Sequence, residues 1–265
     1  MEIEQNYDGQ ADTFDKRTGL SWQTCRSIAA AVRQLAGLTQ NDTLLEIGAG
    51  TGEIGSHLIR LPGAYIGFDL SYPMLEKFRM RLSDPPPNTT ILQADGCHAW
   101  PVADHSVRVV FSSRALHLLP VEHVASEFYR VAAIQKAMLI IGRVIRDKNS
   151  IKAAMRKQMR QFLEQQGVQG LSSRKNRDQI ISVCQQRGAR KIEQISAASW
   201  ETHFSPIDSI TSWESKPGLA GKTVSQKVKQ RVMEQLRDWA MQEFGSLTEP
   251  LPSTENYILE GVWIL

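Results

Sequence analysis

The stretch Leu44-Leu45-Glu46-Ile47-Gly48-Ala49-Gly50-Thr51-Gly52 decides the fold of this chain. It has the pattern of a short buried strand that ends in an acid, followed by a turn with three glycines and then by a helical pattern. Glycine lets a backbone pass close to a ligand, because no Cβ stands in the way. A strand, a glycine turn and a helix in this order are typical of the unit that binds nucleotide-like cofactors at the carboxyl edge of a parallel sheet.

Two kinds of cofactor are compatible with this turn. Residues 50–55 satisfy G-x-G-x-x-G, the dinucleotide pattern, so a nicotinamide-dependent oxidoreductase is one interpretation. The position of Glu46, two residues before Gly48, argues against a pyrophosphate, which a carboxylate would repel, and favours an ammonium or sulfonium group. Here the chain resembles the class I S-adenosylmethionine-dependent methyltransferases, whose first motif has the form E/D-x-G-x-G-x-G.

Further segments resemble motifs of that family in the expected order. Residues 64–71 look like the second strand, with Asp69 at its end, and residues 71–75 resemble the helix opening of the form S-x-x-M-L. Residues 90–96 look like the third strand with its acid, Asp95. The segments 100–107 and 115–120 resemble those of small-molecule members, the type 11-like branch of the family.

The resemblance implies which residues hold the cofactor. Asp69 would accept hydrogen bonds from both ribose hydroxyls, and Asp95 one from the adenine amino group. The leader around Tyr7 and Arg17 resembles the family's Y-D…F-D-x-R segment, so either side chain is expected to reach the cofactor carboxylate. The residues predicted to bind S-adenosylmethionine are Glu46, Gly48, Ala49, Gly50, Gly52, Asp69, Leu70, Ser71, Met74, Asp95, Gly96, Cys97, Ser112, Tyr7 and Arg17.

The fold implied is α/β, a doubly wound and mostly parallel seven-stranded sheet of the Rossmann-like methyltransferase type, with helical insertions. Helices are predicted over Trp22–Ala36 and Ile151–Gln165, and strand six near Lys191–Ser196. Tyr257–Leu265 is expected to be the last strand, antiparallel between strands five and six. The whole chain, 1–265, is predicted to be one domain. Its predicted parts are a leader or lid over 1–21, a helical insertion after strand five over 145–173, and another before the last strand over 197–256.

The predicted acceptor pocket combines the end of strand four with the insertions. His117 is the candidate general base, because an imidazole can take up a proton near neutral pH. Trp200, His203 and Trp213 are predicted to line the pocket with it, and the alternative is that they anchor the insertions to the core. Methyl transfer needs mainly orientation and exclusion of water, so the lack of a catalytic triad is no argument against an enzyme.

Composition and charge limit the remaining possibilities. No apolar run is long enough to cross a membrane, the start of the chain does not look like a targeting signal, and three scattered cysteines predict neither a metal site nor a disulfide framework. A cytoplasmic location is therefore expected. The net charge is +3, but the stretch from Arg143 to Lys191 contains thirteen basic residues and only three acidic ones. A solvated helix surface is the preferred explanation, and nucleic-acid binding is the alternative.

The sequence thus predicts an enzyme that moves the methyl group of S-adenosylmethionine to a small-molecule acceptor, leaving S-adenosylhomocysteine. Three alternatives remain open. They are an RNA methyltransferase that uses the basic residues between 143 and 191, a non-catalytic protein that binds S-adenosylmethionine, and the nicotinamide-dependent oxidoreductase.

Overall fold

The computed structural model of the protein describes residues 20–61, 63–134, 136–170, 174–216 and 218–264, and of residues 174 and 175 only the backbone. Tyr7 and Arg17, predicted to reach the cofactor, lie outside the described residues. The chain divides into two compact units. Unit 1 comprises residues 1–143, 174–198 and 257–265, and unit 2 comprises residues 144–173 and 199–256. The sequence predicts insertions over nearly the same two segments within one domain, whereas in the structure these segments form a separate compact unit.

A seven-stranded sheet runs in the order β3-β2-β1-β4-β5-β9-β6. The pairs β1–β2, β1–β4, β2–β3 and β4–β5 are all parallel. Strand β9 runs against β5, because Gly261 lies beside Leu139 while the amide of Asp147 donates to the carbonyl of Thr254. The doubly wound, mostly parallel sheet predicted from the sequence is confirmed.

Helices and strands alternate from residue 22 to residue 93, and beyond that point the order is less regular. The described helices are α1 Trp22–Ala36, α2 Gly55–Leu58, α3 Tyr72–Arg81, α4 Val121–Val131, α5 Ile151–Gln165, α6 Arg174–Gln186, α7 Pro206–Glu214 and α8 Gln226–Phe244. The described strands are β1 Thr43–Ile47, β2 Ala64–Asp69, β3 Thr89–Gln93, β4 Val109–Ser113, β5 Ala137–Arg146, β6 Arg190–Phe204, β7 Gly218–Leu219, β8 Lys222–Thr223 and β9 Leu251–Ile264. None of the described helices is long and apolar enough to span a bilayer.

Each unit has a hydrophobic core. The core of unit 1 is built around fully buried side chains from the sheet and from α4, such as Leu45, Phe68 and Phe128. Helix α1 begins where the Ser21 side chain accepts from the amide of Thr24 and ends at Gly37 in the left-handed conformation. The core of unit 2 is formed mainly by α5, α7 and α8 and contains Met155, Ile210 and Leu236.

Two strands extend beyond their predicted limits. Strand β6 was expected near residues 191–196 but continues to Phe204, and β9 begins at Leu251 rather than at Tyr257. The added segments are mostly polar and only partly buried, so they lack the apolar run by which a buried strand is recognised. Trp200 and His203 therefore lie on a strand and not in a helical insertion.

Candidate functional site: the carboxyl edge of strands β1 to β4

The glycine turn after β1 is attached to the end of β2. The amides of Gly48 and Ala49 both donate to the carbonyl of Phe68, at 2.9 and 3.0 Å. Gly48, Gly50 and Gly52 all have positive φ, at 69°, 55° and 73°, a region that side chains with a Cβ rarely adopt. The glycines are therefore required by the backbone of the turn itself, independently of any ligand.

The space beside these glycines differs. A Cβ on Gly48 would overlap the side chain of Ala115, and one on Gly52 would overlap the ring of Phe78. At Gly50 the only atom of the described residues within 4.0 Å of such a Cβ is a carboxylate oxygen of Asp69. Gly48 and Gly52 thus allow close packing within the protein, whereas Gly50 leaves room beside its backbone. Among the three, Gly50 best fits the predicted approach of a ligand.

Asp69 lies at the end of β2 and is oriented by the turn. One carboxylate oxygen accepts from the amide of Gly50 at 2.8 Å, and the other accepts from the amide of Ser71 at 2.9 Å. Next to it, Leu70 is 61% exposed, whereas Ser71 and Met74 are buried. The pair of amide hydrogen bonds holds the carboxylate in one orientation, as recognition of a ribose diol requires.

Asp95 follows β3 and is also held by its own loop. It accepts from the amide of Cys97 at 2.8 Å and lies 3.0 Å from the ring nitrogen Nδ1 of His98. The hydrogen bond from Cys97 lowers the pKa of Asp95, so this carboxyl group is ionised at neutral pH. Gly96 is buried and Cys97 exposed, so the loop that the sequence predicts at the adenine offers one carboxylate and one thiol to solvent.

Helix α4 holds this loop from behind. The guanidinium of Arg130 donates to the carbonyls of Trp100 and Val102 and to the carboxylate of Asp104. It also pairs with Glu127, whose carboxylate accepts from the amide of Trp100 at 2.6 Å. These contacts position the loop that carries Asp95. The sequence does not reveal the contacts between Arg130 and the loop, because these residues are far apart along the chain.

Glu46 does not have the environment predicted for it. Its side chain is buried at the end of β1 and accepts a hydrogen bond from the hydroxyl of Tyr65. Burial raises the pKa of Glu46 to about 8, since the charged form loses its hydration. At neutral pH the group is mostly protonated, whereas the sequence suggested an anion. Its contact with a cofactor stays a prediction.

Ser112 and His117 follow the course of β4. The hydroxyl of Ser112, fully buried, donates to the carbonyl of Ile47 at 2.9 Å and so links β4 to β1. His117 lies on a single 3₁₀ turn over Leu116–Leu118, where the residue reaches the surface although neighbouring protein atoms desolvate its imidazole. Desolvation lowers the pKa of His117, which keeps the imidazole neutral and able to accept a proton at pH 7.

One ion pair beside the glycine turn was not predicted. The guanidinium of Arg114 lies 3.0 Å from the carboxylate of Glu53, which is buried directly after the turn. Arg114 has a φ of 65°, uncommon for a residue with a Cβ, and follows β4 immediately. Such conformations persist where the surroundings enforce them, often at functional sites. The sequence carries no sign of this pair, because its members are 61 positions apart.

The aromatic residues predicted for the acceptor pocket belong to unit 2. Trp213 is half-buried and packs against the core of that unit. His203 is exposed, 3.3 Å from a carboxylate oxygen of Glu201, and Trp200 is half-buried on β6. Packing of Trp213 fits the alternative in which it anchors the inserted segment. A pocket that includes these residues and His117 stays a prediction.

Five of the thirteen basic residues between 143 and 191 pair with described acids from elsewhere in the chain. Several of them form ion pairs with carboxylates that are distant in sequence, which reduces the positive field that the composition of this stretch suggests. No observation on the described residues favours the RNA-binding alternative. The pairs are Arg143 and Arg177 with Glu260, Arg146 and Lys152 with Glu255, and Arg187 with Glu122.

Comparison with known proteins finds a match in the same segment of the chain. Residues 44–135 match the family model of a methyltransferase domain. No curated protein sequence matches the chain significantly.

Three solved structures illustrate the likeness in fold. An inferred methyltransferase from Bacillus halodurans C-125 is 15% identical, with 89% of this chain and 97% of that one covered and a TM-score of 0.56. An inferred type II methyltransferase from Anaeromyxobacter dehalogenans is 15% identical, with 88% and 95% covered and a TM-score of 0.55. The YcgJ protein of Bacillus subtilis is 16% identical, with 88% and 97% covered and a TM-score of 0.53.

Proposed function

We propose that this chain, which carries a class I S-adenosylmethionine-dependent methyltransferase domain, transfers the methyl group of S-adenosylmethionine to a small-molecule acceptor. The domain matched over residues 44–135 contains the glycine turn, Asp69 and Asp95. The observation that carries the proposal is the pair Gly50 and Asp69, which combines open space beside a glycine backbone with a carboxylate held by two amides.

The residues at this edge suit the parts of the cofactor one by one. Gly50 would let the backbone approach the cofactor, Asp69 would accept from the ribose hydroxyls, and Asp95 would accept from the adenine amino group. The neutral Glu46 would support the turn through Tyr65 rather than by its charge. When bound, S-adenosylmethionine supplies a methyl group already activated by its sulfonium.

The protein therefore has little covalent chemistry to perform. Holding the acceptor in line with the methyl group contributes through orientation, for which effective molarities of about 10⁵ M or more are known. His117, neutral at pH 7, would remove the proton that an oxygen or nitrogen acceptor releases. Trp200, His203 and Trp213 remain the residues proposed to line the acceptor pocket.

We also propose that the protein is located in the cytoplasm. Cys25 and Cys184 are buried free thiols, and Cys97 is an exposed one. An exposed thiol beside the proposed adenine site is compatible with a reducing compartment.

Two measurements test the proposed function. Calorimetry with S-adenosylmethionine and S-adenosylhomocysteine on the folded protein should detect binding of both, and titration with NADH should detect none. Incubation with S-adenosylmethionine labelled in the methyl group and a metabolite extract should yield a labelled small molecule. Label that appears only in RNA would show that the acceptor is RNA and not a small molecule. Binding of S-adenosylmethionine without transfer to small molecules or RNA would favour the non-catalytic alternative.

A further inference from the structure

An open groove of about 880 Å³ lies between α1 and the end of α2 in unit 1. Arg26 and Arg33 stand seven residues apart on one face of α1, and Arg60 lies just beyond α2 on the opposite wall. Ala30 and Leu61 provide an apolar lining between them. The volume is in the range of small-molecule sites.

The three arginines give this groove a positive charge that no acid among the described residues offsets. No ion pair within the described part of the chain includes Arg26, Arg33 or Arg60, and no described Asp or Glu lines the groove. Guanidinium groups stay protonated in proteins, and their planar forks bind phosphate oxygens in pairs. This arrangement contrasts with residues 143–191, where carboxylates neutralise several arginines.

An exposed aromatic ring completes one end of the groove. Trp22 is 66% exposed, with the guanidinium of Arg26 5.5 Å from its ring and the ring of His57 5.3 Å away, edge to face. The pKa of His57 is lowered, first by burial and then by the charges of Arg81 and Arg26. The pKa of His57 therefore responds to positive charge at the groove. An exposed indole next to cations offers stacking to a flat ring whose attached groups are anionic.

We propose that this groove is a second ligand site, distinct from the methyl-donor site, and that it binds a nucleoside polyphosphate. Arg33 and Arg60 hold the phosphates from opposite walls, and Trp22 stacks against the base. Nothing in this assignment depends on the proposed methyl transfer.

Equilibrium dialysis at low ionic strength tests the site with two probes, ATP and inorganic tripolyphosphate. Both should bind the intact chain, and Arg33→Gln and Arg60→Gln should each weaken both about tenfold. Trp22→Ala should weaken ATP several-fold and leave tripolyphosphate unchanged, because only ATP has a ring to stack. Lys191→Gln is the matched control, since it removes one exposed positive charge from the same unit and should change neither affinity.

A spectroscopic readout locates the ligand. Saturation with ATP should raise the pKa of His57, followed by its imidazole NMR signals, because bound phosphates offset the neighbouring cations. Equal weakening by Lys191→Gln would show general charge attraction and overturn the site, as would absence of binding at millimolar ATP. Binding of an RNA oligonucleotide but of neither probe would overturn the ligand class. Loss of S-adenosylmethionine binding in every protein, with ATP binding intact, would reject the proposed function alone.

Discussion

The hydroxyl of Tyr65 on β2 donates a hydrogen bond to the buried carboxyl group of Glu46 on the neighbouring strand β1. A Cβ on Gly55 would approach both the carboxyl group and the hydroxyl, so the first turn of α2 is packed directly against this pair. The contact between Tyr65 and Glu46 on two neighbouring strands thus supports the glycine turn between β1 and α2. This arrangement makes the stability of the turn depend on the protonation of Glu46.

Stability should decrease as pH rises towards 8. The pKa of Glu46 is raised from 4.5 to about 8, so the folded protein holds a proton that the unfolded chain releases above pH 4.5. The stabilisation is complete below pH 4.5 and is lost progressively as pH rises through about 8, at up to about 1.4 kcal/mol per pH unit. Glu46→Gln, which is always neutral, should flatten this dependence between pH 5.5 and 8. Urea unfolding at several pH values measures it, and parallel profiles for both proteins would contradict the assignment.

Gly52→Ala should destabilise the protein strongly, by about 3 kcal/mol or more. The new methyl group would meet the ring of Phe78, in a backbone conformation that already disfavours a side chain. Gly37→Ala is the matched control, because Gly37 also has positive φ but no atom of the described residues lies within 4 Å of its Cβ. It should cost only about 1 kcal/mol, from backbone strain. Denaturant midpoints measure both, and similar costs would show that Phe78 yields easily.

Asp69→Ala should weaken S-adenosylmethionine binding about a hundredfold, because it removes an acceptor for two hydroxyl groups. Asp69→Asn keeps the shape and one acceptor oxygen, so its loss should be smaller. Asp84→Ala, in an exposed loop, is the control and should bind normally. Calorimetry gives the affinities, and a melting curve verifies that each variant is folded. Unchanged affinity in a folded Asp69→Ala protein would remove this residue from the site.

Arg130→Met should loosen the loop that carries Asp95. The substitution removes hydrogen bonds to Trp100, Val102 and Asp104 and leaves Glu127 without its cationic partner, at a cost of about 3 kcal/mol.

Denaturant unfolding measures this cost, and its pH dependence is a second readout for the same variant. Arg130 lowers the pKa of Glu127, so the stabilisation from this carboxylate is present above pH 4.5 and is lost as pH falls. Arg130→Met should therefore lose less stability than the intact protein on acidification. Arg187→Met, which breaks an exposed pair with Glu122, should change stability by no more than about 1 kcal/mol. Equal effects of the two substitutions would exclude a special role for Arg130.

His117→Ala should lower turnover and spare cofactor binding, if the imidazole accepts the proton released by the methyl acceptor. Because desolvation lowers the pKa of His117, the rate of the intact enzyme should fall only below the ordinary histidine pKa of 6.5. The variant should lose that acidic limb of the pH–rate profile. A normal rate, or an unaltered profile, would exclude proton transfer by this side chain.

The sequence by itself determined the doubly wound sheet and its cofactor edge. The glycine turn, the acids that follow β2 and β3, and the helical spacing of α1 are local patterns, since each depends on residues only a few positions apart. The limits of α5 over Ile151–Gln165 were predictable for the same reason. The sequence predicts strand β6 only as far as residue 196, because the outer part of the strand lacks a continuous apolar run.

Only the tertiary structure decided how each site residue behaves. Motif position made Glu46 look like an anion, but burial under Tyr65 keeps it mostly protonated. The three glycines of the turn look equivalent in sequence, yet Ala115 and Phe78 occupy the space beside two of them and leave it open beside Gly50. Desolvation and packing depend on residues brought together from distant parts of the chain, so no local pattern records them.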